Sequence, residues 1–194
     1  MIRNKEIVTQ SHLHAAMNNF SKAGKTHEIV QIFKYMKEQG FPISLKTYTL
    51  LVRCYAKNGD VIATRRYFES MKEEGIAPDS VMYGFIVAAY VNADQLDNAM
   101  KVLVEMESQG IQPDINSYSV LIRGFATRGD IDQALNILEQ FKRTGIPPNS
   151  FVYDPLVEYY VLKNKIPEAE AIFAEMELFG VCATYKAKSL MARQ

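Results

Sequence analysis

Gly40, Gly75, Gly110, Gly145 and Gly180 follow one another at intervals of 35 residues without a slip, and this single regularity limits the chain to a repeat architecture. The other positions keep the same frame. After the glycines come Phe41-Pro42, Ile76-Ala77-Pro78-Asp79, Ile111-Gln112-Pro113-Asp114, Ile146-Pro147-Pro148-Asn149 and Val181-Cys182-Ala183-Thr184. Four residues before each glycine stand Met36, Met71, Met106, Phe141 and Met176, and three before those Phe33, Phe68, Leu103, Leu138 and Phe173. Leu13, Tyr48, Tyr83, Tyr118 and Tyr153 open the units, with Phe20, Tyr55, Tyr90, Phe125 and Tyr160 seven residues later. Five uninterrupted repeats result, 10–44, 45–79, 80–114, 115–149 and 150–184, after a lead-in at 1–9. Residues 185–194 form a partial repeat or a capping helix.

Each repeat reads as two short helices. In 45–79 the stripe Tyr48, Leu51, Val52, Tyr55 has the i, i+3, i+4, i+7 spacing of one helical face. A second stripe, Val61, Thr64, Phe68, Met71, marks another. The spacing predicts helices near 46–57 and 61–74. Gly59, with Gly24, Asp94, Gly129 and Asn164 at the same place in the other repeats, suits a left-handed helix end. Pro78 forbids helical continuation after Gly75. Neither helix can bury its stripe alone, so adjacent repeats must stack on a shared core. The methionine and aromatic ladders belong to that core. The fold class is all-α, a right-handed α-solenoid of stacked helix-turn-helix repeats. At the end of the chain, Ala183-Thr184-Tyr185 fits a sixth first helix near 184–193 displaced by a two-residue deletion, and the strict 35-residue frame also runs through Thr184.

Composition narrows the function classes. Lysine plus arginine equal aspartate plus glutamate at 22 each, so any nucleic-acid binding must use charge segregated on one face. No apolar run reaches the roughly 18 residues of a membrane span, and no import sequence is visible. Cys54 and Cys182 read as reduced thiols and make no C-x-x-C pair. His12, His14 and His27 do not form a metal site, because His12 and His14 point to different faces of one helix. A phosphate loop, a zinc-deaminase signature and a Ser–His–Asp set are all missing. The chain is expected not to be an enzyme and to need no metal or cofactor.

Thr47-Tyr48-Thr49-Leu50-Leu51-Val52 with Gly75-Ile76-Ala77-Pro78-Asp79 resembles the pentatricopeptide repeat, as does Ser117-Tyr118-Ser119-Val120-Leu121-Ile122 with Gly145-Ile146-Pro147-Pro148-Asn149. The resemblance covers 10–184. It implies recognition of single-stranded RNA at one base per repeat, in mitochondria or chloroplasts, for RNA processing, stability or translation. No membrane and no DNA are expected as partners. In that family the fifth and last residues of a repeat read the base. Carried over, the pairs are His14 with Ser44, Thr49 with Asp79, Gly84 with Asp114, Ser119 with Asn149, and Asp154 with Thr184. Thr with Asp, and Gly with Asp, imply guanine, and Ser with Asn implies adenine. The core reading is therefore G-G-A. The second residue of each repeat sandwiches the base: Ser11, Lys46, Val81, Asn116 and Phe151, of which Val81 and Phe151 have the usual apolar character. Arg53 and Arg123, one turn beyond Thr49 and Ser119, make a broken basic row with Lys22 and Lys57 and are candidates for phosphate. The competing expectation is a structural or protein-binding scaffold, for example a subunit of an organellar ribosome or another ribonucleoprotein.

Overall fold

The computed structural model describes residues 8–191, which contain helices and no strand. It divides into two compact units, Met1–Ala93 and Asp94–Gln194. The first holds α1 (Gln10–Ala23), α2 (Thr26–Glu38), α3 (Leu45–Lys57), α4 (Val61–Glu73) and α5 (Ser80–Asn92). The second holds α6 (Leu96–Ser108), α7 (Ile115–Arg128), α8 (Ile131–Arg143), α9 (Ser150–Leu162), α10 (Ile166–Leu178) and α11 (Tyr185–Met191). First helices begin at residues 10, 45, 80, 115, 150 and 185, so the 35-residue frame runs through Thr184 with no deletion. Residues 192 and 193 of the sixth helix expected from the sequence lie outside the described residues.

Local chemistry sets the helix ends. The residue before four of the first helices is extended and caps it: Thr9, Asp79 and Asp114 accept from the backbone N–H three residues on, and Asn149 from Phe151. Between the two helices of a repeat the chain turns through the left-handed region. Two of these turns use residues other than glycine, Asp94 at φ 57° and Asn164 at φ 54°. Short polar side chains pay least for that conformation. Gly59 has a second reason to be glycine, since a Cβ there would sit 3.1 Å from the Asn92 carbonyl oxygen. The turns are closed by bonds spanning five residues, Asp60 N–H to Tyr55 O at 3.1 Å and Lys165 N–H to Tyr160 O at 2.8 Å among them, the signature of a Schellman end.

In the first unit, α3 packs on α1, α4 and α5. Tyr48 and Tyr83 are fully buried and meet the second-helix rings edge to face, Phe33–Tyr48 at 5.5 Å and Phe68–Tyr83 at 5.1 Å between centroids. In the second unit, α9 packs on α7 and α10, and α11 covers part of α9. Tyr118 lies 5.4 Å from Phe141, and the Tyr153 hydroxyl donates to Glu175 at 2.9 Å. Met36, Met71, Met106 and Met176 are buried as the ladder requires. The aromatic ladder seven residues further on is mixed: Phe125 and Tyr160 are buried, whereas Phe20, Tyr55 and Tyr90 are half-buried. Tyr55 stacks on Tyr67 at 5.4 Å, and Tyr90 accepts from Arg65 Nε at 3.4 Å, so these rings form the outer edge of the first unit's core. No helix of the described residues is long and apolar enough to cross a membrane.

Candidate nucleic-acid interface

The residues expected to read bases occupy two local settings. The fifth residue of a repeat sits in the first turn and a half of a first helix, where a hydroxyl reaches back to the carbonyl four residues earlier. Thr49 donates to Leu45 O at 2.7 Å and Ser119 to Ile115 O at 2.6 Å. The last residue of a repeat is the cap of the next first helix. Asp79 accepts from Met82 N–H at 2.8 Å, Asp114 from Ser117 N–H at 2.9 Å, and Asn149 from Phe151 N–H at 3.0 Å. A carboxylate has two oxygens and about four acceptor sites, so one capping bond leaves capacity for a ligand. Asp114 has committed more of it, also accepting from the Ser117 hydroxyl at 2.9 Å and the Asn116 amide at 3.0 Å.

His14 and Ser44 converge on one buried hydroxyl. His14 Nε2 and Thr47 Oγ1 are hydrogen-bonded at 2.9 Å, and Ser44 Oγ lies 3.4 Å from the same oxygen. Burial, with a smaller contribution from the Lys46 charge, holds the His14 imidazole below its ordinary value. Gly84 lies on α5 of the first unit, and Asp114 belongs to the second. Among the sandwiching positions Ser11, Lys46, Val81, Asn116 and Phe151 are exposed, Phe151 at 68%.

Two members of the basic row are engaged within the protein. Arg53 is half-buried and engaged: Nε donates to Ser21 Oγ at 2.7 Å, and Nη2 to Asn18 Oδ1 at 2.8 Å and Asn18 O at 3.3 Å. Its guanidinium ties α3 to α1. Lys57 donates to the Lys22 carbonyl and ties successive turns together. Arg123 is exposed, and among the described residues it has no hydrogen bond or ion pair.

The second unit brings four of the predicted residues together. A concavity of about 790 Å³ lies against α7 and α9 and includes both members of one reading pair, Asp154 and Thr184. Phe151 and Arg123 line it too. Periodicity explains the grouping: residues 151, 154, 155, 158, 159 and 162 of α9 stand at i, i+3, i+4, i+7, i+8 and i+11 and share one face. Pro155 stands within that face and has no N–H to return to the Phe151 carbonyl, so the usual helical bond is missing there.

Three family models match the chain: "PPR repeat" at 14–41 and 116–146, "Pentatricopeptide repeat domain" at 32–93 and "PPR repeat family" at 78–127. Together they run without a gap from residue 14 to residue 146, more than half of the chain. The chain belongs to the pentatricopeptide repeat family. No curated protein matches it. Among solved structures, the pentatricopeptide repeat protein PPR10 in complex with an 18-nucleotide psaJ RNA element has a TM-score of 0.83 at 24% identity, over 94% of this chain and 27% of that one. PPR10 from maize matches at 26% identity and a TM-score of 0.70, over 94% of this chain and 26% of that one. The pentatricopeptide repeat domain of Arabidopsis thaliana protein-only RNase P 1 in complex with tRNA gives 16% identity and a TM-score of 0.70, over 95% and 97%. The chain thus spans about a quarter of the PPR10 chains that it resembles.

Within this pentatricopeptide repeat chain the concavity holds residues that the sequence did not single out. Arg128 and Lys163 line it, as do Tyr159 and Leu162. The signal was available: Arg128 and Lys163 stand 35 residues apart, each just before a left-handed turn residue, Gly129 or Asn164. Arg128 is paired with Asp130 at 2.5 Å and lies 5.3 Å from the Phe125 ring centroid. Lys163 is exposed and has no hydrogen bond or ion pair among the described residues.

Proposed function

We propose that the chain is a single-stranded RNA-binding module that reads one base per repeat, acts in mitochondria or chloroplasts in RNA processing, stability or translation, and is not an enzyme. The observation that carries this reading is the concavity of the second unit, where Asp154, Thr184, Phe151 and Arg123 meet. It puts a polar pair, an apolar ring and a cation within reach of one nucleotide, the chemistry that an unstacked base offers as edge, face and phosphate. The reading pairs are those the family pattern implies: His14 with Ser44, Thr49 with Asp79, Gly84 with Asp114, Ser119 with Asn149, and Asp154 with Thr184. They give guanine, guanine and adenine for the second to fourth repeats. Selection from a random RNA pool tests the whole reading. Enrichment of a G-G-A core supports it, and a pool that stays random overturns it.

A second reading, a protein-binding scaffold, is favoured by Leu178 and Phe179, exposed at 86% and 52%. The same two positions in the other repeats hold Glu38-Gln39, Glu73-Glu74, Ser108-Gln109 and Arg143-Thr144, all polar. The readings separate in salt: RNA affinity falls with a log–log slope of about −0.7 per phosphate neutralised, and a docking surface built on two apolar side chains has no such dependence.

A further inference from the structure

We propose that Tyr159 is a stacking platform for a nucleobase of a bound RNA strand, and that Lys163, four residues on and just past the end of α9, holds an adjacent phosphate. The proposal rests on the RNA-binding reading above. It adds two contacts outside the reading pairs, the sandwiching positions and the basic row.

Both residues line the second-unit concavity, beyond Asp154 on the face that begins with Phe151. Tyr159 breaks the repeat pattern, since the equivalent positions are Asn19, Cys54, Ala89 and Gly124. An aromatic ring appears only in this copy, and there it is half-buried beside an open space. The ring is braced edge-on by Tyr160, with centroids 5.6 Å apart and planes at 72°, so a ligand need not order it. Lys163 follows by four residues, about 6 Å along the helix axis, within the reach of a base and the phosphate beside it. Arg123 supplies a second exposed cation on the α7 side.

Charge and shape select the occupant. An aromatic floor between cations suits an aromatic anion. An acidic peptide would satisfy the cations and leave the ring without a stacking partner. The volume of about 790 Å³ falls in the range of about 300–1,000 Å³ of small-ligand sites, room for a whole nucleotide rather than a base edge alone.

The test uses the full chain and short RNAs carrying the G-G-A core followed by a fluorescent adenine analogue. Tyr159→Leu keeps apolar bulk against Tyr160 and removes the stack. It should weaken binding about 5- to 150-fold for every base placed there, with loss of the quenching that stacking produces. Tyr159→Phe should bind and quench like wild type. Lys163→Gln, at an exposed side chain, should shallow the salt slope by about 0.7 and serves as an independent arm. Binding and quenching by Tyr159→Leu within twofold of wild type overturn the stacking role, and an unchanged slope for Lys163→Gln overturns the phosphate role. Displacement of the RNA by equimolar free 5′-AMP would assign the cavity to mononucleotides and overturn the strand. A wild-type chain that binds none of the RNAs overturns the RNA reading itself, an outcome distinct from the others.

Discussion

Arg53 is hydrogen-bonded to Ser21 of the preceding repeat, Nε to Oγ at 2.7 Å, while Arg123, its counterpart two repeats on, stands exposed. The same residue type at the same repeat position therefore has two jobs. Arg53 connects α3 to α1, and its removal strands the buried Ser21 hydroxyl and the Asn18 amide. Arg53→Ala should cost about 1–3 kcal/mol in urea unfolding and leave the salt slope of RNA binding unchanged. Arg123→Ala should do the reverse, with stability within about 0.5 kcal/mol of wild type and a slope shallower by about 0.7. Equal effects of the two substitutions on the slope would make Arg53 a phosphate contact as well as a tie.

The core ladders make a graded prediction. Phe125 is 3% exposed and Tyr153 fully buried, so truncating either to Ala should cost about 3–5 kcal/mol. Tyr90 is half-buried at the edge of its unit, and the same truncation should cost clearly less. Equilibrium denaturation of the three variants checks the order. Equal losses would contradict the difference in burial.

How far the sequence carries is visible in these residues. The 35-residue period set the two helices of each repeat, and the left-handed turns at Gly59, Asp94, Gly129 and Asn164 follow from residue type alone. Both depend on local backbone preference, which a single chain displays. What Arg53 and Lys57 do depends on acceptors 32 to 35 residues away and on one rotamer choice, and periodicity does not encode that. The capping role of Asp79, Asp114 and Asn149 is legible in the sequence, as a polar residue before a helix. Tyr159 and Lys163 were hidden for the opposite reason: a repeat frame highlights what recurs, and the ring at 159 occurs once.

Two turns carry a measurable strain. Asn164 and Asp94 hold left-handed φ values that glycine adopts without cost. Asn164→Ala should lower stability by about 1 kcal/mol, whereas Asn164→Gly should be neutral or slightly stabilising. Thermal melts of the two variants decide it, and an Ala variant as stable as Gly would mean that the turn relaxes out of the left-handed region.

His14 gives the first unit a pH dependence. Its folded-state value is held below the unfolded value of about 6.5, chiefly by burial, so the unfolded chain binds the proton more readily. The contribution to stability is complete above the unfolded value and is lost as pH falls through that value toward the folded one. Stability should therefore decline on acidification from pH 7.5 toward pH 5.5, and His14→Gln, which cannot titrate, should flatten this part of the profile. Parallel profiles for the two proteins would show that other groups control the decline.

Asp79→Asn tests base reading at its most specific point. Asp79 caps α5 through Met82 N–H at 2.8 Å, and asparagine caps as well as aspartate, so the fold should survive the change. The ligand chemistry does change. An ionised carboxylate only accepts hydrogen bonds, which suits the N–H groups on the Watson–Crick edge of guanine, while an amide adds donors that adenine can use. Thr49, the other member of the pair, is untouched and keeps its bond to the Leu45 carbonyl at 2.7 Å. Preference at that one base should move from guanine toward adenine by about 1–3 kcal/mol. Asp94→Asn, in a turn between helices, makes the same change of charge and should leave preference alone. Binding of wild type and both variants to four RNAs that differ only at the cognate base measures the shift. If wild type binds all four equally, or the two variants behave alike, Asp79 is a helix cap and nothing more, and the protein-binding reading takes its place.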